Sequence, residues 1–390
     1  MTLSNLIVVG ASLAGLRAVE ALRRRGYDGR ITWVGDELRL PYDRPPLSKQ
    51  VLRGEWSEER VALKADYAAL DVDLRLGLRA ASLDPRERTL KLNDGAALSY
   101  DGLVVATGAR PRLPPWAHGA PRIHALRTLD DALAIRRVLE GSPRVAIVGA
   151  GFIGLEVAAS VRALGLDVTV VDVAEVPLAH ALGTAMGEKL TDYHRDRGVL
   201  FRTGVGVARP VGGAALERLE LTDGTSVRAD LVVVGIGVTP ETSWLDGSGV
   251  ATNDGVLCDV HGATSVPDVF ACGDVVRFDH PIFGESMKVE HWTNAVEQAN
   301  AAIARLLDGP AAPAPRSVPY FWSDQYDLKL QFAGRTKPGD DVRIVEGSVE
   351  GKDLVAIYGR AGVLCGALTV NKPGALVKYR RAIADRVSFF

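Results

Sequence analysis

Gly149-Ala-Gly151-Phe-Ile-Gly154 follows the apolar run Val145–Val148 and opens a helical pattern, the order that suits a pyrophosphate-binding turn. The first glycine permits the tight turn, the second lets a phosphate approach bare backbone, and the third lets helix and strand pack closely. Asp172 stands 18 residues past Gly154, at the end of the next strand-like run. A carboxylate there accepts hydrogen bonds from an adenosine ribose diol and repels a 2′-phosphate. No Arg occurs in the five residues after it (VAEVP), so the pattern favours NAD over NADP. Gly10-Ala-Ser12-Leu-Ala-Gly15 is a second such turn with one departure, since Ser12 puts a hydroxymethyl group where bare backbone is usual. Asp36, 21 residues past Gly15, supplies the matching acid.

Two such turns imply two elements sets to position them, and the chain carries an internal duplication. Residues 6–36 and 145–172 share an apolar run, a glycine turn, a helix-period segment, a Gly break, a second β-rich run and an acid. Downstream, LNDGAALSYDGLVVATG at 92–108 is matched by LTDGTSVRADLVVVGIG at 221–237, an Asp-Gly turn leading into a strand that ends in glycine. A period this long means duplicated domains and not a solenoid. Proline-rich linkers at 110–121 and 309–319 frame the units. The remaining segment alternates β-rich runs such as Leu328–Phe332 and Leu354–Ile357 with Gly turns, lacks a phosphate loop, and reads as a small α+β domain.

Composition narrows the partners. The 390 residues are 47% hydrophobic and 24% charged, and Lys+Arg (46) nearly balance Asp+Glu (48), so nothing attracts nucleic acid or an anionic membrane in general. No stretch approaches the roughly 18 apolar residues a membrane span needs. No targeting segment precedes Leu6, and a soluble cytoplasmic protein is expected. Cys258, Cys272 and Cys365 form neither a CxxC pair nor a disulfide framework, and the seven histidines show no ligand spacing, so no metal site is expected.

VGDELRLPYDRPPLSK at 34–49, LVVATGARPR at 103–112 and RTLDDA at 127–132 add more specific signals. VAIVGAGFIGLEVA, VVVGIGVTPE, VPDVFACGDV at 266–275 and HWTNAVEQANAA at 291–302 complete the set. Over nearly its whole length the chain resembles the FAD-dependent, NADH-using ferredoxin reductases of oxygenase systems, which include putidaredoxin reductase, rubredoxin reductase and the reductases of aromatic-ring dioxygenases. The resemblance implies an α/β fold of two Rossmann-like dinucleotide-binding domains, glutathione-reductase-like but without a redox disulfide, and a small C-terminal α+β domain. It implies a discontinuous FAD-binding domain at 1–112 and 240–317, an NAD-binding domain at 113–239, and a C-terminal domain at 318–390 that closes over the flavin.

The resemblance also assigns roles. Gly10, Ser12 and Gly15 would border the pyrophosphate of a non-covalent FAD, with Asp36 near its adenosine end, Arg44 offsetting phosphate charge and Lys49 near the flavin ring. Thr107 and Gly108 would form the second crossing beneath FAD, Asp274 would hold the ribityl hydroxyls, and Trp292 would lie beside the isoalloxazine. A helix starting near Ala295 would aim its amides at the pyrimidine edge, favouring the charge that develops on reduction. Gly149, Gly151, Gly154, Asp172, Gly235 and Gly237 belong to the NADH side, with Arg127 among the cofactor-binding residues and Glu156 matching the family's GxGxxGxE. Taken as residues alone, several of these keep an ordinary reading. Asp36 and Asp274 can cap turns, Arg44 and Lys49 can be solvated cations, Trp292 can be core, and Glu156 can be an exposed helix residue.

The expected reaction is hydride transfer from NADH to FAD, then single-electron delivery to an iron–sulfur ferredoxin of 2Fe–2S type or a rubredoxin, which feeds an oxygenase or cytochrome P450. No cysteine occurs before Cys258, so no redox thiol sits where the disulfide and lone-cysteine branches of the superfamily need one. Ferredoxins are acidic, and Lys372, Lys378, Arg380, Arg381 and Arg386 near the C-terminus form a candidate docking patch. Two alternatives stay open. One is an NADH oxidase or small-acceptor reductase, and the other is a redox-sensing binding protein resembling apoptosis-inducing factor.

Overall fold

The computed structural model describes residues 3–212, 215–348 and 351–389. The chain divides into two compact units, the first being Met1–Asp43, Ala62–Arg110 and Thr239–Phe321, the second Arg44–Val61, Pro111–Val238 and Trp322–Phe390.

The first unit is built on a five-stranded parallel sheet. Its strands lie in the order Val269–Ala271, Gly102–Val105, Asn5–Val9, Arg30–Gly35, Asp73–Leu76. Leu6 to Val9 and Leu103 to Val105 are all buried, as unbroken apolar runs must be when both faces of a parallel sheet are covered. Helix Leu13–Arg24 packs against helix Trp292–Asp308. The buried residues there include Ala18, Ala21, Ala299 and Ala302, small side chains that let two backbones come close. A three-stranded antiparallel meander (Ala80–Asp84, Thr89–Leu92, Ala97–Ser99) is inserted before Gly102–Val105.

The second unit repeats the plan. Its parallel sheet runs Leu200–Thr203, Val168–Asp172, Val145–Val148, Leu231–Val234, Ile123–Ala125. A meander of Val207–Gly212, Leu216–Leu221 and Ser226–Arg228 occupies the corresponding position. The duplication reaches single hydrogen bonds. Gly10 N donates to Val34 O at 2.7 Å and Gly149 N to Val171 O at 2.8 Å, while Ala106 N donates to Val9 O and Gly235 N to Val148 O, both at 2.7 Å. The paired Asp-Gly turns hold too, with Gly95 and Gly224 both at positive φ (89° and 84°).

The C-terminal segment forms a five-stranded antiparallel sheet in the order Tyr320–Gln325, Leu328–Gly334, Val363–Val370, Leu354–Arg360, Asp341–Gly347, followed by helix Leu376–Ala384. Within the second unit this sheet is tied to the segment after Asp172, where Thr336 Oγ1 donates to Ala181 O (2.6 Å) and Tyr358 Oη to Leu182 O (2.9 Å). Among the described residues no helix is long and apolar enough to cross a membrane.

Candidate functional site

Each glycine turn is shaped by contacts within its own unit. Gly10 has φ 117°, and a Cβ there would lie 2.1 Å from Ala106 O; Gly149 has φ 105°, and a Cβ would lie 2.3 Å from Gly235 O. A Cβ on Gly15 would meet Gly10 O at 1.8 Å, and one on Gly154 would meet Gly149 O at 2.1 Å. The fold itself demands glycine at these four positions. Gly151 differs, since its φ is −74° and a Cβ would meet nothing within 4 Å. Its bareness serves no packing contact of the chain. It leaves open space at the start of helix Phe152–Ala163, which no side chain caps. An uncapped helix N-terminus beside an open backbone cradle is the arrangement that accepts phosphate oxygens.

In the first unit Ser12 is the N-cap residue of helix Leu13–Arg24, with extended φ of −121° and no side-chain capping bond. Its hydroxyl is therefore not spent on its own helix. Trp33 Nε1 donates to Gly10 O at 3.0 Å and pins the turn from below. The residues present in both units thus fit a pyrophosphate-bearing dinucleotide.

The two acids behave differently. Asp36 is exposed and lies 3.5 Å from Arg79. Asp172 is half-buried and accepts from its own glycine turn, Ala150 N to Oδ2 at 2.5 Å, and from Ala174 N to Oδ1 at 2.7 Å. These bonds fix the carboxylate at the strand end while leaving lone pairs for a ligand hydroxyl.

Lys49 and Glu156 come together within the second unit. Lys49 lies in a single π-helical turn, Leu47–Val51, in which Val51 N reaches back five residues to Pro46 O at 3.1 Å. Such turns cluster at functional positions. Lys49 Nζ donates to Glu156 Oε2 at 2.7 Å, and both side chains are only 7% exposed. Ser48 Oγ donates to the same oxygen at 2.5 Å, and Ser323 Oγ donates to Oε1 at 2.7 Å. Glu156 is therefore a buried carboxylate with both oxygens hydrogen-bonded and one acceptor site of Oε1 still available, and its reading as an exposed helix residue falls. The solvated reading of Lys49 falls with it.

The other residues named from sequence take these places. Thr107 Oγ1 donates to Glu241 O (2.8 Å), and Gly108 O accepts from Glu241 N (2.9 Å), so this pair clasps the Pro240-Glu241 turn. Arg110 engages both Glu241 carboxylate oxygens at 3.0 Å. Arg44 is half-buried and donates to Arg127 O at 2.6 Å, while the Arg127 amide is held by Asp131 in the capping of helix Leu129–Leu139. Gly235 bears on Gly149 as described, and Gly237, at φ 99°, accepts from Arg112 N at 2.9 Å. Asp274 is half-buried in the turn after Val269–Ala271. Trp292 Nε1 donates to Asp43 Oδ1 at 2.8 Å. Its helix starts at Trp292 and not near Ala295, because His291 takes the extended N-cap conformation. Ala295 N already donates to His291 O at 3.0 Å, so residues 292–294 form the amide end.

All three cysteines are unpaired. Burial pushes the Cys272 thiol up to about 12, does the same to Cys365, and raises Cys258 further. None is a thiolate near neutral pH, so none has the character of a redox nucleophile. In the C-terminal patch, Lys372 and Lys378 both pair with Glu346 (3.4 and 3.2 Å) and Arg381 lies 3.8 Å from Asp385. Part of the local positive charge is thereby offset. Among the described residues no three metal-ligating side chains gather.

Sequence reasoning missed Ser48, Ser323 and Gln325. The signal was present in YFWSDQ, where Ser323 and Gln325 alternate along a strand and share one face. Both are fully buried. Buried polar residues at period two on one strand face mark a polar contact beyond it.

Residues 4–299 match the family described as pyridine nucleotide-disulphide oxidoreductase, and residues 320–389 match the family described as reductase C-terminal. The chain is 38% identical to the ferredoxin–NAD(+) reductase component of the p-cumate 2,3-dioxygenase system of Pseudomonas putida, over 99% of this chain and 94% of that one. It is 37% identical to rhodocoxin reductase of Rhodococcus erythropolis, over 98% and 90%. The solved covalent putidaredoxin reductase–putidaredoxin complex aligns with a TM-score of 0.94 at 34% identity, covering 98% of this chain and 93% of that one.

Proposed function

Because the chain belongs to the pyridine nucleotide-disulphide oxidoreductase family, in the branch of ferredoxin–NAD(+) reductases completed by a reductase C-terminal domain, we propose that it carries electrons from NADH through FAD to a small iron–sulfur protein. The observation that carries this reading is a pair of glycine cradles in a chain whose three cysteines, two buried and one half-buried, all have raised thiol pKa values. Two dinucleotides are held, and no side chain stores the electrons between them. The acceptor is then external, a ferredoxin or rubredoxin serving an oxygenase or cytochrome P450; a relative named as the ferredoxin–NAD(+) reductase component of a dioxygenase system supports this.

FAD, when bound, takes up hydride as a two-electron unit and releases electrons one at a time. The chain's own work is binding and orientation. We assign FAD to residues 1–112 and 240–317, NADH to 113–239, and the covering role to 318–390. Gly10, Ser12 and Gly15 hold the FAD pyrophosphate, and Asp36 takes its adenosine end. Arg44 offsets phosphate charge, while Thr107, Gly108, Asp274 and Trp292 line the FAD path. Gly149, Gly151 and Gly154 hold the NADH pyrophosphate beside Gly235 and Gly237, Asp172 accepts from the ribose diol, and Arg127 is a further cofactor-binding residue. Glu156 offers a fixed carboxylate toward the nicotinamide, and Lys49 a fixed positive charge toward the flavin. No general base is needed, because hydride transfer depends on how the two rings are held. We place the protein in the cytoplasm, where cysteines stay reduced.

The test is anaerobic. NADH should bleach the yellow protein, NADPH should do so poorly, and a 2Fe–2S ferredoxin should then pass electrons to cytochrome c. Fast aerobic NADH consumption with no partner would move the reading to an oxidase, and slow turnover with a long-lived coloured complex would move it to a redox sensor.

A further inference from the structure

Glu156 does not end at its ion pair. Ser323 Oγ, its second-face donor, accepts in turn from Gln325 Nε2 at 3.0 Å. Gln325 Oε1 lies 2.9 Å from His194 Nε2, and His194 Nδ1 lies 3.3 Å from Tyr326 Oη. Ser323, Gln325 and His194 are each 0% exposed. The proton positions along this file are dictated by its chemistry. Gln325 presents its carbonyl to the ring, so Nε2 carries hydrogen and Nδ1 accepts from Tyr326. Every hydrogen in the file then points the same way, from Tyr326 toward Glu156.

We propose that His194 is a positioning residue for the Lys49–Glu156 pair, acting through Gln325 and Ser323 to hold a hydroxyl donor on Glu156 Oε1. Ser323 has one proton. That proton goes to Glu156 uncontested while Gln325 presents its amide NH2 to Ser323, whereas a Gln325 turned to present its carbonyl would compete for it, and His194 holds the first orientation by donating to Gln325 Oε1. An amide does not relay protons readily, so the file orients and does not conduct. His194 lies on helix Thr184–Arg195 and the other members on strand Tyr320–Gln325 and its turn, so the file links the helix to the C-terminal sheet inside one unit. The turn is itself set for the task. Tyr326 sits at φ 55° in the two-residue connection to Leu328–Gly334, an unfavourable conformation for a bulky residue, and its hydroxyl lands on the ring. Besides Tyr326, the ring faces Phe201 from the neighbouring strand and feels the charge of Arg197 in the turn just past its own helix. Around Glu156 stand Lys49 and Ser48 from the π-turn and Ser323 from the sheet. The catalytic consequence of this file rests on the NADH-side role proposed for Glu156; its geometry does not.

The experiment reads the carboxylate stretching bands of Glu156 by infrared difference spectroscopy, in the full-length protein with its flavin, using Glu156→Gln recorded identically to isolate them. Ser323→Ala removes the donor on Oε1 and should shift these bands, and Ser323→Thr should restore them. Gln325→Met and His194→Phe should shift them in the same direction by less, and His194→Gln, whose amide can donate to Gln325 Oε1, should return them toward wild type. Anaerobic reduction by NADH should slow in the order of those shifts. If His194→Phe leaves the bands where wild type has them, His194 has no hold on Glu156 and the proposal is wrong. Should His194→Phe fail to fold, His194→Met, smaller and equally without a donor, decides in its place. Shifted bands in a protein that does not reduce any ferredoxin would sink the proposed function and leave this link standing.

Discussion

Lys49 and Glu156 form an ion pair of 2.7 Å with each side chain 93% shielded from solvent, one partner on a π-helical turn and the other on the helix that opens at Gly151. A pair so deeply placed is held by the price of separation more than by its own attraction. Taking two charges out of water costs several kcal/mol, and the hydrogen bonds from Ser48 and Ser323 help to repay it.

Removing one partner should therefore be worse than removing both. Glu156→Ala leaves a buried ammonium with no counter-charge, and a loss of about 3–5 kcal/mol is expected in denaturant unfolding. The double variant Lys49→Met with Glu156→Leu should recover much of that stability while reduction by NADH stays impaired. A double variant no more stable than Glu156→Ala would show that the pair contributes net stability.

The glycines separate into two classes with opposite expectations. Gly149→Ala must take a positive φ and press a methyl group 2.3 Å from Gly235 O, so it should express poorly or melt well below wild type. Gly151→Ala has open space and an ordinary φ of −74°. It should melt as wild type does, yet bind NADH at least about tenfold more weakly, a difference of roughly 1.4 kcal/mol. Melting curves and NADH titration on the same preparations check both. Wild-type NADH affinity in Gly151→Ala would mean that the second glycine does not face the phosphate.

Much of this was legible in the sequence because it rests on short-range constraints. The strand Val145–Val148 lies where its apolar run predicts, and the Asp-Gly turns at 94–95 and 223–224 and the two glycine cradles follow local backbone rules. The Glu156 environment did not follow from local rules. Its partners Lys49 and Ser323 lie 107 and 167 residues away in sequence, and only the folded chain brings them to one carboxylate. The start of the helix at Trp292 was misjudged for a smaller reason, since His291 is not among the residue types that announce an N-cap. Arg44, read as a phosphate partner, spends one guanidinium nitrogen on Arg127 O, a contact between segments that no spacing rule reveals.

Asp172→Arg should reverse the nucleotide preference. The carboxylate that accepts from Ala150 N and Ala174 N would be lost, and a cation would stand where a 2′-phosphate arrives. The ratio of kcat/KM for NADH over NADPH should fall by about a hundredfold, a change of roughly 2.7 kcal/mol. Some loss of thermal stability should accompany it, because two turn amides lose their acceptor. An unchanged ratio in the folded variant would remove Asp172 from the ribose site.

Acid should destabilise the protein before its carboxylates titrate. Burial holds His194 down to about 4, an effect Arg197 reinforces and the Gln325 hydrogen bond opposes, and burial likewise holds His280 down to about 4. Both values lie below the 6.5 of an unfolded histidine, so between about pH 6.5 and 4 the unfolded chain binds more protons than the folded one. Stability therefore rises with pH across that window and is lost as pH falls through it. For His194 the full effect is roughly 3 kcal/mol, given about 1.4 kcal/mol per unit. Asp230, held down to about 2 by the Arg144 guanidinium, contributes stability that is lost only at lower pH, below its unfolded value of 3.8. Urea midpoints should be nearly level from pH 7.5 to about 6.5 and fall from there to pH 4, and His194→Gln should flatten that fall although it starts from a lower stability. A wild-type midpoint that holds level down to pH 4.5 would mean that His194 and His280 are protonated in the folded protein without cost.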